Sequence, residues 1–172
     1  RNSLALHYGT GGRPGVAAHY SPQEKAFALA KNAGPGSIAH EWFHAFDHYI
    51  CSKFLQLPTS RFASHAWLLS QEEVTHPLNK ALADVYQAIF LNPNISNQPS
   101  EYFKIAARVD TQLKRVYYAL PEELSARAFE AFVQDSHLSN EFLVKGTIKT
   151  EEAQAGLYPL NEHRQQIAAL FS

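Results

Sequence analysis

Residues His40-Glu41-Trp42-Phe43-His44 read His-Glu-x-x-His. On a helix, positions i and i+4 share one face, roughly 6 Å apart along the axis. Two imidazoles at that spacing can bind one metal ion, and the Glu after the first His then points toward the coordination position left for water. This is the arrangement of a zinc hydrolase, in which a carboxylate takes the proton of a metal-acidified water. His40 and His44 are therefore candidate ligands and Glu41 the candidate base.

The surroundings call for a helix at this point. Gly34-Pro35-Gly36-Ser37 breaks the chain just upstream, and Ser37 suits an N-cap. Ile38, Trp42, Ala45, Phe46, Tyr49 and Ile50 recur at helical spacing and predict an apolar stripe beside the His40/His44 face, on a helix from Ser37 to about Leu55. Trp42 and Phe43 are expected in the core.

A catalytic zinc usually has three protein ligands. His48 continues the i, i+4 row but stands about 12 Å from His40 along one axis, too far for a shared ion. Cys51 is the single cysteine and reads as a small buried apolar residue, so the metal must be held by His and carboxylate. The best source of the third ligand is Pro121–Glu130, where Glu123, Arg127 and Glu130 share a face and Ala126 and Ala128 allow close helix approach. Glu123 is the expected ligand and Glu130 its expected support, although acidic residues also suit a solvated helix N-terminus. Asp47, three residues after His44, is placed to orient an imidazole. His19 could face the cleft, and the remaining histidines show no ligand spacing.

The whole chain sets limits on these readings. A length of 172 residues suits one domain, 1–172, with room for a core. Fifteen basic and sixteen acidic side chains leave a net charge near zero with no basic stripe, which argues against nucleic acid as the main partner. No apolar run is long enough to span a membrane. The chain opens on Arg1 and contains no Met, so it reads as an excised portion of a longer protein. A lone cysteine and no visible signal peptide favour a cytoplasmic setting. Oligomeric state is not legible.

Two strands are expected before the motif helix, Val16–Tyr20 and Ala26–Ala30, with the second as a candidate sheet edge for an extended substrate. A polar, aromatic loop should run to about Glu72. Helices follow at 77–90, 100–118, 122–134 and 162–171, with Pro121 at an N1 position and a short strand at Phe142-Leu143-Val144. The expected class is α+β and mostly helical, with a small β element beside the motif helix and a second ligand-bearing helix.

With Ala39–Asp47 and Glu123–Glu130 taken together, the chain resembles zincins of the Glu-liganded type. It is similar to the bacterial and phage-associated CLCA_X and large-polyvalent-protein-associated zincin-like metallopeptidases, and more distantly to the catalytic domain of anthrax lethal factor. The resemblance covers roughly residues 16–50 and 117–134. It implies a zincin-like fold, a Zn²⁺ ion on His40, His44 and Glu123, and hydrolysis of a peptide or protein substrate. It also implies a Tyr hydroxyl at the oxyanion position, supplied by Tyr117 or Tyr118. Arg127 departs from the pattern, since lethal factor carries an acidic residue there; either Glu130 takes over its role or the support differs. The alternative function is a zincin-like domain without catalysis that serves as a protein-interaction module.

Overall fold

A computed structural model describes residues 4–9, 18–30, 36–53, 55–56, 62–69, 77–95, 97–136 and 140–172. Among these residues, three short strands precede seven helices: β1 (Ala5–Tyr8), β2 (Ala18–Ser21), β3 (Ala26–Leu29), α1 (Ile38–Lys53), α2 (Ala63–Leu68), α3 (Leu78–Phe90), α4 (Glu101–Leu113), α5 (Pro121–Asp135), α6 (Glu151–Gln154) and α7 (Asn161–Phe171). The class is α+β and mostly helical. No helix among the described residues is long and apolar enough to cross a membrane.

The sheet order is β1-β3-β2, with β1 parallel and β2 antiparallel to β3. This corrects the assignment of the Ala26–Ala30 strand to an edge. It lies in the centre because Ala5–Tyr8, too short and too exposed to signal a strand, pairs along its other side. Among the described residues, the edge strand beside α1 is β2. Val16 and Ala17, expected in that strand, lie outside the described residues.

Helix α1 packs across β2 and β3 and, on its other side, principally against α5. Its core row is Phe43, Asp47, Ile50 and Cys51, all almost wholly buried. The row 42/46/49 lies along the side of the helix instead. Trp42, expected in the core, is 42% exposed and stacks on Phe46 and Phe129, while Tyr49 is 49% exposed.

Close approach of α5 to α1 follows from its small residues, since Ser125, Ala126 and Ala128 are all buried there. Leu124 anchors the same helix in the core with Ile50, Phe90 and Tyr102, a burial contributing roughly 1.5–3 kcal/mol. Pro121 begins α5, where its missing N–H costs nothing.

Several expected boundaries differ for physical reasons. Phe142–Val144 is a turn: the Phe142 and Leu143 carbonyls accept the N–H groups of Gly36 and Ala39, satisfying donors at the start of α1 that a strand would leave unmet. Gly36 has φ +106, and a Cβ there would lie 2.1–2.4 Å from Lys145. Helix α4 stops at Leu113, short of Tyr118, because Lys114 turns into the left-handed region and Asp110 takes the next free N–H groups. Part of the expected loop to Glu72 is the short helix α2; residues 57–61 and 70–76 lie outside the described residues.

Candidate metal centre

One turn of α1 and the first turn of α5 face each other across the α1–α5 contact. His40 and His44 project from α1, and Glu123 meets them from α5. His40 Nε2 and His44 Nε2 are 3.0 Å apart. Glu123 Oε2 lies 3.3 Å from His40 Nε2, and Oε1 lies 3.2 Å from His44 Nε2. For bonds near 2.0–2.1 Å, the edge of a tetrahedron is about 3.3 Å. The two nitrogens and the Glu123 carboxylate, with one oxygen toward each imidazole, thus stand near the separations that a small dication such as zinc requires. Among the described residues they are the trio able to converge in this way.

Two further observations bear on the fit. Glu123 Oε2 is buried and, among the described residues, meets only the His40 imidazole at 3.3 Å with no well-formed hydrogen bond, a contact that a cation would improve. Glu41, Glu123, Glu130 and Arg127 are all buried, so carboxylates outnumber guanidinium groups here and a cation at the imidazoles is favoured.

Glu130, two turns along α5 from Glu123, sits behind the first imidazole. Its Oε2 accepts the Nδ1–H of His40 at 3.1 Å. That bond fixes the tautomer and leaves Nε2 as the ligand atom. Burial alone would lower the His40 pKa, but hydrogen bonds and charge from Glu123 and Glu130 outweigh it and raise it to about 10. In the metal-free chain a proton on Nε2 therefore stands where a cation would. Burial would raise Glu123, yet His40 and His44 hold its carboxyl well below the usual range. His44 Nδ1 has no hydrogen-bond partner among the described residues.

Asp47 does not orient either imidazole. Its carboxylate accepts the Ser64 N–H and hydroxyl and the Tyr86 hydroxyl at 2.5–2.9 Å, tying α1 to α2 and α3. The sequence placed Asp47 on the right turn but could not show that these donors would claim it first.

Glu41 is buried beside the trio. Burial raises its pKa, and the charges of His40 and His44 oppose the rise. Tyr117 lies just ahead of α5. Tyr117 is 37% exposed overall, and burial of its hydroxyl, then the nearby Glu123 carboxylate, push that hydroxyl above its ordinary value. Tyr118 turns its ring against the guanidinium groups of Arg115 and Arg127, 5.0 and 4.8 Å from the centroid.

The backbone that carries both tyrosines is held by Asp110, which accepts the N–H groups of Tyr117, Tyr118 and Ala119 at 2.9–3.0 Å. An Asp inside a helical pattern gives no sequence signal for that role. His48 is hydrogen-bonded to Tyr20 on β2, and His163 donates to the Ala88 carbonyl. His19 alternates to the face of β2 opposite Tyr20.

Comparison with known proteins touches the second half of this arrangement. The family model described as "Large polyvalent protein-associated domain 1" matches residues 109–172. That segment carries Asp110, Tyr117, Glu123, Arg127 and Glu130; the His-Glu-x-x-His helix lies ahead of it. No curated protein and no solved structure matches the chain.

Proposed function

We propose that the chain is a zincin-like, zinc-dependent peptide hydrolase, with His40, His44 and Glu123 as the residues that hold the metal. The observation that carries this reading is the convergence of two Nε2 atoms and a buried carboxylate at 3.0–3.3 Å, with Glu130 fixing one tautomer from behind. A bound zinc ion would supply Lewis acidity, polarising a carbonyl and acidifying water. Glu41 is suited to take a proton from water and return it to the leaving amine, because burial raises its basicity beside the cluster. The Tyr117 hydroxyl, kept protonated, is suited to donate to an oxyanion. An extended peptide would add to the outer edge of β2, which is unpaired among the described residues and next to α1.

The test is a pair of proteins purified without added metal and assayed on a broad peptide library. Wild type should hold close to one zinc per chain and cleave; Glu41→Gln should keep the zinc and lose cleavage by 10²–10⁴-fold or so. Zinc binding with no cleavage by wild type would favour an interaction module. Absence of zinc would remove the metal reading altogether.

A further inference from the structure

We infer that Tyr158, from the segment between α6 and α7, is a positioning residue for the metal centre that acts through Glu130; this rests on the reading of His40, His44 and Glu123 as ligands. The Tyr158 hydroxyl donates to Glu130 Oε2 at 3.3 Å, the same oxygen that accepts the His40 Nδ1–H at 3.1 Å. Two donors on one oxygen hold the carboxylate in a single orientation, and that orientation sets the His40 ring. A ring needed only for packing would be better as Phe, since a buried hydroxyl must be desolvated and then satisfied.

Tyr158 is itself held. The Arg127 guanidinium lies 5.2 Å from its ring centroid and 4.8 Å from that of Tyr118, a buried cation between two aromatic faces. Arg127, the residue that departs from the zincin pattern, thus has a place in the account. On either side of Tyr158, Leu157 and Pro159 are buried. Gly156, at φ +79, makes the turn that brings the segment in, and the Leu157 N–H bonds to the Glu152 carbonyl. One hydroxyl therefore connects the C-terminal segment to the metal ligands, and metal binding and docking of that segment must favour each other reciprocally.

Zinc dissociation constants measured by competition with a fluorescent chelator, at one pH, test this. Tyr158→Phe should weaken zinc about tenfold, the lower end of the range for groups that support a metal-binding His. Glu130→Gln should weaken it at least as much, and the double variant should be no weaker than Glu130→Gln alone. Ser100→Ala is the control for general destabilisation, because Ser100 caps α4 away from the site; it should lower the melting temperature and leave zinc affinity unchanged. Zinc should also slow amide exchange at Leu157, residue 158 and Leu160 in wild type and not in Tyr158→Phe. Should Tyr158→Phe fail to fold, Arg127→Lys, which keeps the charge and loses the planar contact with both rings, should weaken zinc severalfold.

An affinity for Tyr158→Phe (or Arg127→Lys in its place) within twofold of wild type overturns the inference, as does an equal loss in Ser100→Ala. Failure of wild type itself to bind zinc removes the ligand reading and the inference with it, a result seen before any variant is made.

Discussion

Asp110 offers a prediction that needs no assumption about activity. Its buried carboxylate takes three backbone N–H groups in a row, two on Oδ2 and one on Oδ1, at 2.9–3.0 Å. Asp110→Ala removes all three acceptors. A hydrogen bond to a charged group contributes about 1.5–3 kcal/mol, but water can reach part of this turn, so about 1 kcal/mol per bond is the better figure and about 3 kcal/mol the total. In a chain of this size, that corresponds to a fall in melting temperature of roughly 6–12 °C. Asp110→Asn can keep its oxygen at the Oδ2 position and two of the three bonds, so it should cost about half as much. Denaturant titration of the two variants checks both the size and the order. A loss under about 1 kcal/mol for Asp110→Ala, or Asn more damaging than Ala, would refute the reasoning. If cleavage is observed, both variants should also slow turnover, because the same turn presents Tyr117.

Further outcomes follow from the site. Zinc must displace the proton that His40 holds with a pKa of about 10, so apparent zinc affinity should rise roughly tenfold per pH unit from neutrality and level off above about pH 10; a flat profile from chelator competition would contradict this. In the metal-free chain the sign is opposite: the His40 pKa is raised, so its stabilisation is fully present below the ordinary histidine pKa of about 6.5 and is lost as pH rises through about 10, visible in melting temperature against pH. Gly36→Ala should destabilise by several kcal/mol or so, since the backbone is left-handed there and the new methyl meets Lys145 main chain; a calorimetric loss under about 1 kcal/mol would count against the fold around α1. Tyr117→Phe should lower kcat 10²–10³-fold or so with zinc content unchanged, whereas the same change at Tyr118 should affect stability more than kcat.

How much of this the sequence revealed depended on whether a residue's partner was local. His40, His44 and Glu41 are legible because helical spacing alone puts them together. Glu123 and Glu130 follow once a second helix is required, since their seven-residue separation keeps them on one face. Asp47 had the right spacing for an imidazole, but its donors came from α2 and α3, and α2 is too short to show a periodic pattern. Tyr158 lies in a connecting segment with no period, so its approach to Glu130 exists only in three dimensions. The same limit explains the sheet: four residues of β1, mostly exposed, give no alternation to read, yet their pairing moves β3 from the edge to the centre. Phe142–Val144 has strand composition, and its carbonyls were claimed by the start of α1.

X-ray absorption at the zinc edge, on protein loaded with one equivalent of zinc, tests the central claim most directly. The account predicts two imidazole nitrogens and a carboxylate oxygen at about 2.0–2.1 Å, with one imidazole lost in His44→Ala and the carboxylate lost in Glu123→Ala. A zinc ion bound without imidazole, or a spectrum unchanged by Glu123→Ala, would contradict it.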